Sequence, residues 1–337
     1  MRAVPIALLF ALLWTTIGHA DENHEQVPRP YQHYPGVDGS ITSVGSDTLA
    51  NLLAIWSQEF KTYYPHVRIQ IQASGSSTAP PALTEGTATL GPMSRQLKSS
   101  EIAAFQRRYG YEPTMLLVAV DAIALFVERS NPIQALTLQQ VDAIFSQTRY
   151  CGGPQAIERW QQLGIDYLGE RHAIRLFGRN SVSGTYGLFK SMALCDGDFR
   201  SKVNEQPGSS SVVLSVASTN GAIGYAAYGH KTAGVKSLAL GTSLQNAVPL
   251  SQQTVQSGDY PFTRFLYIMV NKAPDQPLPT LEREFLRFVL SQRGQELVSQ
   301  DGYFPISHQS RTHQLRLLSD DSEVLNPYLP EVDTSRD

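Results

Sequence analysis

Residues 41–65 read ITSVGSDTLANLLAIWSQEFKTYYP. Two periods meet in this stretch. Ile41 to Val44 is a short strand signal. After the break Gly45-Ser46-Asp47-Thr48, the residues Leu49, Leu52, Leu53, Trp56, Phe60, Tyr63 and Tyr64 recur at three- and four-residue spacing. That is the apolar stripe of an amphipathic helix, and Pro65 ends it. Strand, polar loop and helix in succession are the repeating unit of an α/β fold.

The unit recurs. Val67, Ile69, Ile71 and Ala73 alternate with polar residues, the period of a strand, and break into Ser74-Gly75-Ser76-Ser77-Thr78. Pro80 and Pro81 then suit the first turn of a helix. Thr87 to Leu90 reads as a third strand running into the loop Gly91-Pro92-Met93-Ser94-Arg95, with a helix from about Ser99 to Arg108 closed by Gly110. Ser, Thr and Asp are ordinary helix caps, so capping alone explains any one of these loops. Three hydroxyl-bearing loops at successive strand ends suggest more, because α/β sheets bind ligands beyond the carboxyl ends of their strands.

Further along, Met115 to Val127 is apolar except for Asp121 and reads as a strand leaving one domain for another. Thr137-Leu138-Gln139-Gln140 is a capping box opening a helix to Phe145. His172 to Phe177 is a strand, Asn220-Gly221 a turn, and Ala222 to Tyr228 another strand. Tyr260-Pro261-Phe262 turns the chain into Phe265 to Val270, the return crossing, and Leu281 to Leu290 is an amphipathic helix. The expected organisation is a first lobe of residues 40–122 plus 260–318 and a second of 123–259. A proline-rich lead-in (21–39) precedes them, and an acidic, poorly ordered tail (319–337) follows.

The 337 residues carry a formal net charge of −3 and no basic tract, which argues against a nucleic-acid partner. Residues 1–20, MRAVPIALLFALLWTTIGHA, pair Arg2 with a short apolar run and a small-residue end, the pattern of a secretory signal peptide cleaved after Ala20. The run is too short for a bilayer span. In an oxidising compartment Cys151 and Cys195 would pair; the alternative is two unpaired thiols. Two cysteines and eight scattered histidines offer no metal site, and no cofactor motif occurs.

A last loop sharpens the chemistry. Residues 176–190, LFGRNSVSGTYGLFK, place Arg179, Ser183, Gly184 and Thr185 where a strand meets a helix. A helix N-terminus offers free N–H groups and the positive end of its dipole. Gly184 allows close approach, Ser183 and Thr185 add hydroxyls, and Arg179 supplies a charged fork for an oxyanion. A compact tetrahedral anion suits such a site. No Gly-x-Ser-x-Gly elbow, P-loop or Ser-x-x-Lys is present, so a serine nucleophile has no local base.

These stretches together carry a resemblance. VGSDTL (44–49), ASGSSTAPPAL (73–83), LGPMSRQLK (90–98), VAVDAIALFV (118–127), LTLQQVDAIF (136–145), GRNSVSGT (178–185) and FVLSQRGQELVSQDGYFPIS (288–307) occur in the order found in the periplasmic phosphate-binding components of bacterial ABC transporters, which the chain resembles from about Ser40 to Ser310. The resemblance implies a type II-like periplasmic binding protein fold, two α/β lobes joined by two crossings and closing on phosphate. It implies capture without catalysis, a monomer in the periplasm, and an ABC permease of the inner membrane as partner. By position it assigns phosphate to Thr48, the N–H of Leu49, Ser76, Ser94, Arg179, Ser183, Gly184 and Thr185, with Arg95 as a second countercharge. Two positions depart from the family. Ser94 stands where many members carry an aspartate that accepts the phosphate proton and repels sulfate, which makes Asp47 a candidate substitute acceptor. Ser181 stands where members often carry an acid beside the arginine. The alternatives are a secreted phosphatase using the same cradle, a binder of another oxyanion such as sulfate, and an extracellular or sensory role.

Overall fold

In the computed structural model, which describes residues 31–165, 173–274 and 276–318, the chain opens with the predicted unit: β1 (Ser40–Val44), α1 (Ala50–Tyr63) and β2 (Arg68–Gln72), the two strands parallel and in register from Ser40↔Arg68 to Val44↔Gln72. The segments expected as signal peptide and acidic tail lie outside the described residues, as do His172 and most of the lead-in. Helix α1 buries the stripe read from sequence: Leu52, Leu53, Trp56 and Phe60 face inward. Trp56 Nε1 donates to Gly294 O at 2.8 Å, satisfying the one polar atom of that side chain.

Next come α2 (Ala79–Thr84), with Pro80 and Pro81 in its first turn, then β3 (Gly91–Met93) and α3 (Ser99–Tyr109). The third strand lies later than expected. Residues 87–89 are an entry bend, Leu90 bridges Ser43, and Gly91-Pro92-Met93, expected as loop, form the strand. β3 ends the ladder of the main sheet, and on its other side the chain leaving β1 donates from Ser46 N to Pro92 O at 2.8 Å, a contact that needs no proline N–H.

β4 (Thr114–Glu128) spans the molecule. After it follow β5 (Ala135–Thr137) and α4 (Leu138–Phe145), which begins with the predicted capping box. Then come β6 (Arg175–Arg179), α5 (Gly184–Leu194), β7 (Asn204–Gln206), α6 (Ser209–Ala217), β8 (Ala222–Ala227), β9 (Val235–Ser237) and β10 (Ala239–Gly241). The chain ends with α7 (Gln252–Gln256), β11 (Thr263–Val270), α8 (Thr280–Val289), α9 (Gln292–Gln300) and α10 (His308–Leu318). No helix among the described residues is long and apolar enough to cross a membrane.

The main sheet runs β3-β11-β4-β8-β6-β7, with β9 also on β4. β4 changes partner along its length. Up to Ala122 it pairs antiparallel with β11; from Ile123 it pairs antiparallel with β8. One strand thus belongs to both α/β lobes, and β11 is the return crossing beside it. This apolar strand is buried almost throughout, as a strand covered on both faces must be.

Cys151 and Cys195 are joined, their Cα atoms 5.2 Å apart, and tie the loop after α4 to the left-handed end of α5 at Cys195 (φ 49°). Cross-linking over a sequence separation of 44 contributes about 3–4 kcal/mol on the chain-entropy model. The unfolded, unreduced protein should therefore show no titratable thiol, and reduction should lower the melting temperature by several degrees. Two reactive thiols in that assay would refute the bridge.

Candidate anion site

The loop after β1, the start of the turn after β2, the loop after β3 and the N-terminus of α5 converge. Thr48, Ser76, Ser94, Arg179, Ser183 and Thr185 are all buried there. Three of the hydroxyls already accept a hydrogen bond from the protein. Ser76 Oγ accepts from the Ser94 amide at 3.0 Å, Ser183 Oγ caps α5 by accepting from the Thr185 amide at 3.1 Å, and Thr185 Oγ1 accepts from Arg264 Nη1 at 2.8 Å. A hydroxyl that accepts from a firm donor keeps its own proton to give away. The result is a cluster of pre-oriented donors.

The lobes meet at these groups. Across the seam Thr48 Oγ1 and Thr185 Oγ1 are 3.4 Å apart and the Ser77 amide donates to Val182 O at 3.2 Å; within the first lobe Ser76 Oγ and Ser94 Oγ are 3.1 Å apart. Gly184 sits so close to the opposite loops that a Cβ there would lie 2.5 Å from Ser94 Oγ and 2.6 Å from Ser76 Oγ. Gly75 (φ 111°) takes a backbone conformation that favours glycine and faces Val182 O in the same seam. Helix α1 starts at Leu49 without a side-chain cap, so its first N–H groups are not covered by a side chain of their own. The Tyr303 hydroxyl, held protonated by burial, donates to Thr48 O at 2.6 Å and pins that turn.

Arg179 is almost wholly buried. Its Nη2 donates to Asp47 Oδ1 at 2.6 Å and to Pro207 O at 2.9 Å, and its Nη1 to Ser209 Oγ at 3.1 Å. Its Nε is a buried donor with no partner among the described residues. An arginine N–H left unpaired in a dry site fits an anionic acceptor. Asp47 has a definite task here: one oxygen takes Arg179, the other the Ser209 amide at 3.2 Å. The partner that Ser181 does not supply is thus Asp47, reaching across from the first loop.

Arg95 is placed differently from the expectation of a free countercharge. Its guanidinium forks onto Glu101 at 2.8 and 2.7 Å, and Nη2 also reaches Ser77 Oγ at 3.3 Å. Burial pushes the Glu101 carboxyl up, but Arg95 and the Lys98 amide outweigh it and hold the group below its ordinary range. The charge on Arg95 is therefore largely met within its own lobe.

Three ionisable residues at the site, Arg264, Asp121 and His230, carried no assignment from sequence. Arg264, in β11, donates to Asp121 of β4 through Nε (2.9 Å) and Nη2 (2.6 Å), and its Nη1 reaches Thr185 Oγ1. A signal did exist: a lone carboxylate inside an apolar strand has to find a buried partner. Reading the two crossings as antiparallel neighbours places Arg264 opposite it. His230 also lies nearby, its Nδ1 2.9 Å from Ser210 Oγ. Burial pushes this imidazole down, against the pull of Asp47 and Asp121, so it stays neutral at neutral pH and leaves the local positive charge to the arginines.

Two α/β lobes sharing a pair of crossing strands, with hydroxyls, helix termini and a clasped arginine between them, define a two-lobe solute-binding protein. The chain belongs to the PBP superfamily, whose domain pattern matches residues 31–293. It is 57% identical over 277 residues to the "Phosphate-binding protein PstS" of Pseudomonas aeruginosa, covering 82% of this chain and 86% of that one. It is 26% identical over 302 residues to the protein of the same name from Bacillus subtilis, covering 88% and 91%. Among solved structures, an ABC-type phosphate transport receptor from Vibrio cholerae shares the fold with a TM-score of 0.60 at 23% identity, over 79% of this chain and 100% of that one.

Proposed function

We propose that the protein is an exported receptor that captures one inorganic phosphate between its lobes and delivers it, as a monomer in the periplasm, to an ABC permease. The observation that carries this is the set of buried hydroxyls, three of them already turned into donors, together with the unpaired Nε of Arg179. Thr48, the Leu49 amide, Ser76, Ser94, Arg179, Ser183, Gly184 and Thr185 are the proposed ligands; Asp47 is the counter-ion of Arg179, and Arg95 supports the second loop through Ser77. We assign residues 40–122 and 260–318 to one lobe and 123–259 to the other. The names of the relatives support the choice of phosphate among tetrahedral anions.

The site hydroxyls bond to one another, to amides and to arginine, and none of those bonds is to a histidine or lysine. Without a base on a nucleophile the cradle holds an anion and does not turn one over. Calorimetry on protein stripped of bound anion should show one phosphate site, and incubation with a generic phosphoester should release no phosphate. Absence of binding at millimolar phosphate would overturn the reading.

Selectivity should be set at Ser94. A carboxylate there would reject sulfate, which has no proton to offer it, whereas a hydroxyl donates to sulfate or accepts from phosphate. Both oxygens of Asp47 are already engaged, so it is poorly placed to replace the missing acid. Sulfate should compete measurably, and Ser94→Asp should widen the preference for phosphate. A natural protein indifferent to a large excess of sulfate would move selectivity elsewhere.

A further inference from the structure

We infer that Arg264, held by Asp121, is a positioning residue of the anion site: it fixes the Thr185 hydroxyl as a donor and joins the binding loops of both lobes at the point where the strands cross. The inference rests on the phosphate reading above.

Three observations support it. First, position. Arg264 and Asp121 are register partners across β11 and β4, one residue before Ala122, where β4 gives up β11 and turns to β8. Asp121 also accepts the Tyr228 amide just past the end of β8, at 3.2 Å. The pair therefore stands on the junction between the lobes.

Second, reach. Arg264 spends Nε and Nη2 on Asp121, which aims Nη1 away from it. Nη1 donates to Thr185 Oγ1 at 2.8 Å, in the second lobe, and lies 3.5 Å from Ser94 O, in the first. A cationic donor on Thr185 Oγ1 obliges that hydroxyl to send its proton the other way, toward Thr48 or an anion. Thr185 thereby becomes a fixed donor.

Third, cost. Both side chains are almost fully buried in a strand pair built mostly of apolar residues. A buried ion pair gives little or no net stability over an apolar pair of the same volume. Its presence beside Thr185 and Ser94 is explained by what it orients.

The test compares phosphate affinity and melting temperature in the natural protein, in Thr185→Val, in the neutral pair Asp121→Asn/Arg264→Gln, and in all three substitutions together. Removing both charges leaves no lone buried ion. The neutral pair should bind phosphate about 30-fold more weakly than the natural protein. Adding Thr185→Val to it should cost little more, because the two act through one hydroxyl. Affinity equal to the natural protein, or effects that multiply independently, would overturn the inference. If the neutral pair does not fold, Arg264→Lys decides: it keeps the charge and loses the fork, so roughly tenfold weaker binding supports the assignment and unchanged binding overturns it. If the natural protein itself ignores phosphate, the functional reading fails and this one with it; if it binds and the variants bind equally, only this one fails.

Discussion

Arg179→Ala is expected to weaken phosphate binding by about a thousandfold, roughly 4 kcal/mol. The guanidinium is buried and ties Asp47, across the cleft, to Pro207 O and Ser209 Oγ on its own side. Its removal takes away a countercharge and leaves Asp47, whose side chain is only 14% exposed, without its ion-pair partner beside the incoming anion. Much of the loss comes from that orphaned carboxylate. The double variant Arg179→Ala/Asp47→Asn should accordingly recover part of the affinity, although it carries one change more. Calorimetry on stripped protein measures both, and the melting temperature checks that each variant is folded. An affinity close to that of the natural protein would place Arg179 outside the site.

Gly184→Ala should nearly abolish binding, by a hundredfold or more, roughly 3 kcal/mol, although it adds one methyl group. The new carbon would meet Ser94 Oγ and Ser76 Oγ at 2.5 and 2.6 Å, and Ser76 Cβ at 3.1 Å. Packed protein cannot absorb such contacts in place. Either the two serines rotate and lose their donor geometry, or the lobes stay apart. Stability without phosphate should change little, because alanine is the better helix residue by about 1 kcal/mol. Gly187, on the same helix, is the control: nothing lies within 4 Å of a Cβ there, so Gly187→Ala should bind phosphate normally. Equal binding by the two variants would show that the lobes do not close on Gly184.

Much of the fold was legible because its signals are local. The stripe of α1, the capping box at Thr137 and the prolines of α2 each act within a turn or two of chain. The third strand was misplaced by a few residues because Gly91-Pro92 reads locally as a turn, and it is the pairing with β11 that makes a strand of it. α6 went unread for a related reason. Its run SSSVVLSVA has serines and β-branched residues that favour no element strongly, and it is helical because it packs on β8.

The site divides the same way. Sequence by itself determined the hydroxyl loops, the glycines that let backbones approach and the arginine ahead of α5, since each is a short pattern at the end of a strand. Only the tertiary structure decided how the charges pair. Arg179 meets Asp47 across 132 positions, Arg264 meets Asp121 across 143, and Arg95, in the loop after β3, turns to Glu101 in the first turn of α3 and not to the anion site. The physical reason is that helix starts and strand ends are encoded by periodicity and backbone preference over a few residues. A buried charge is matched by whichever strand or loop folding brings to within 3 Å, and no local period records that neighbour.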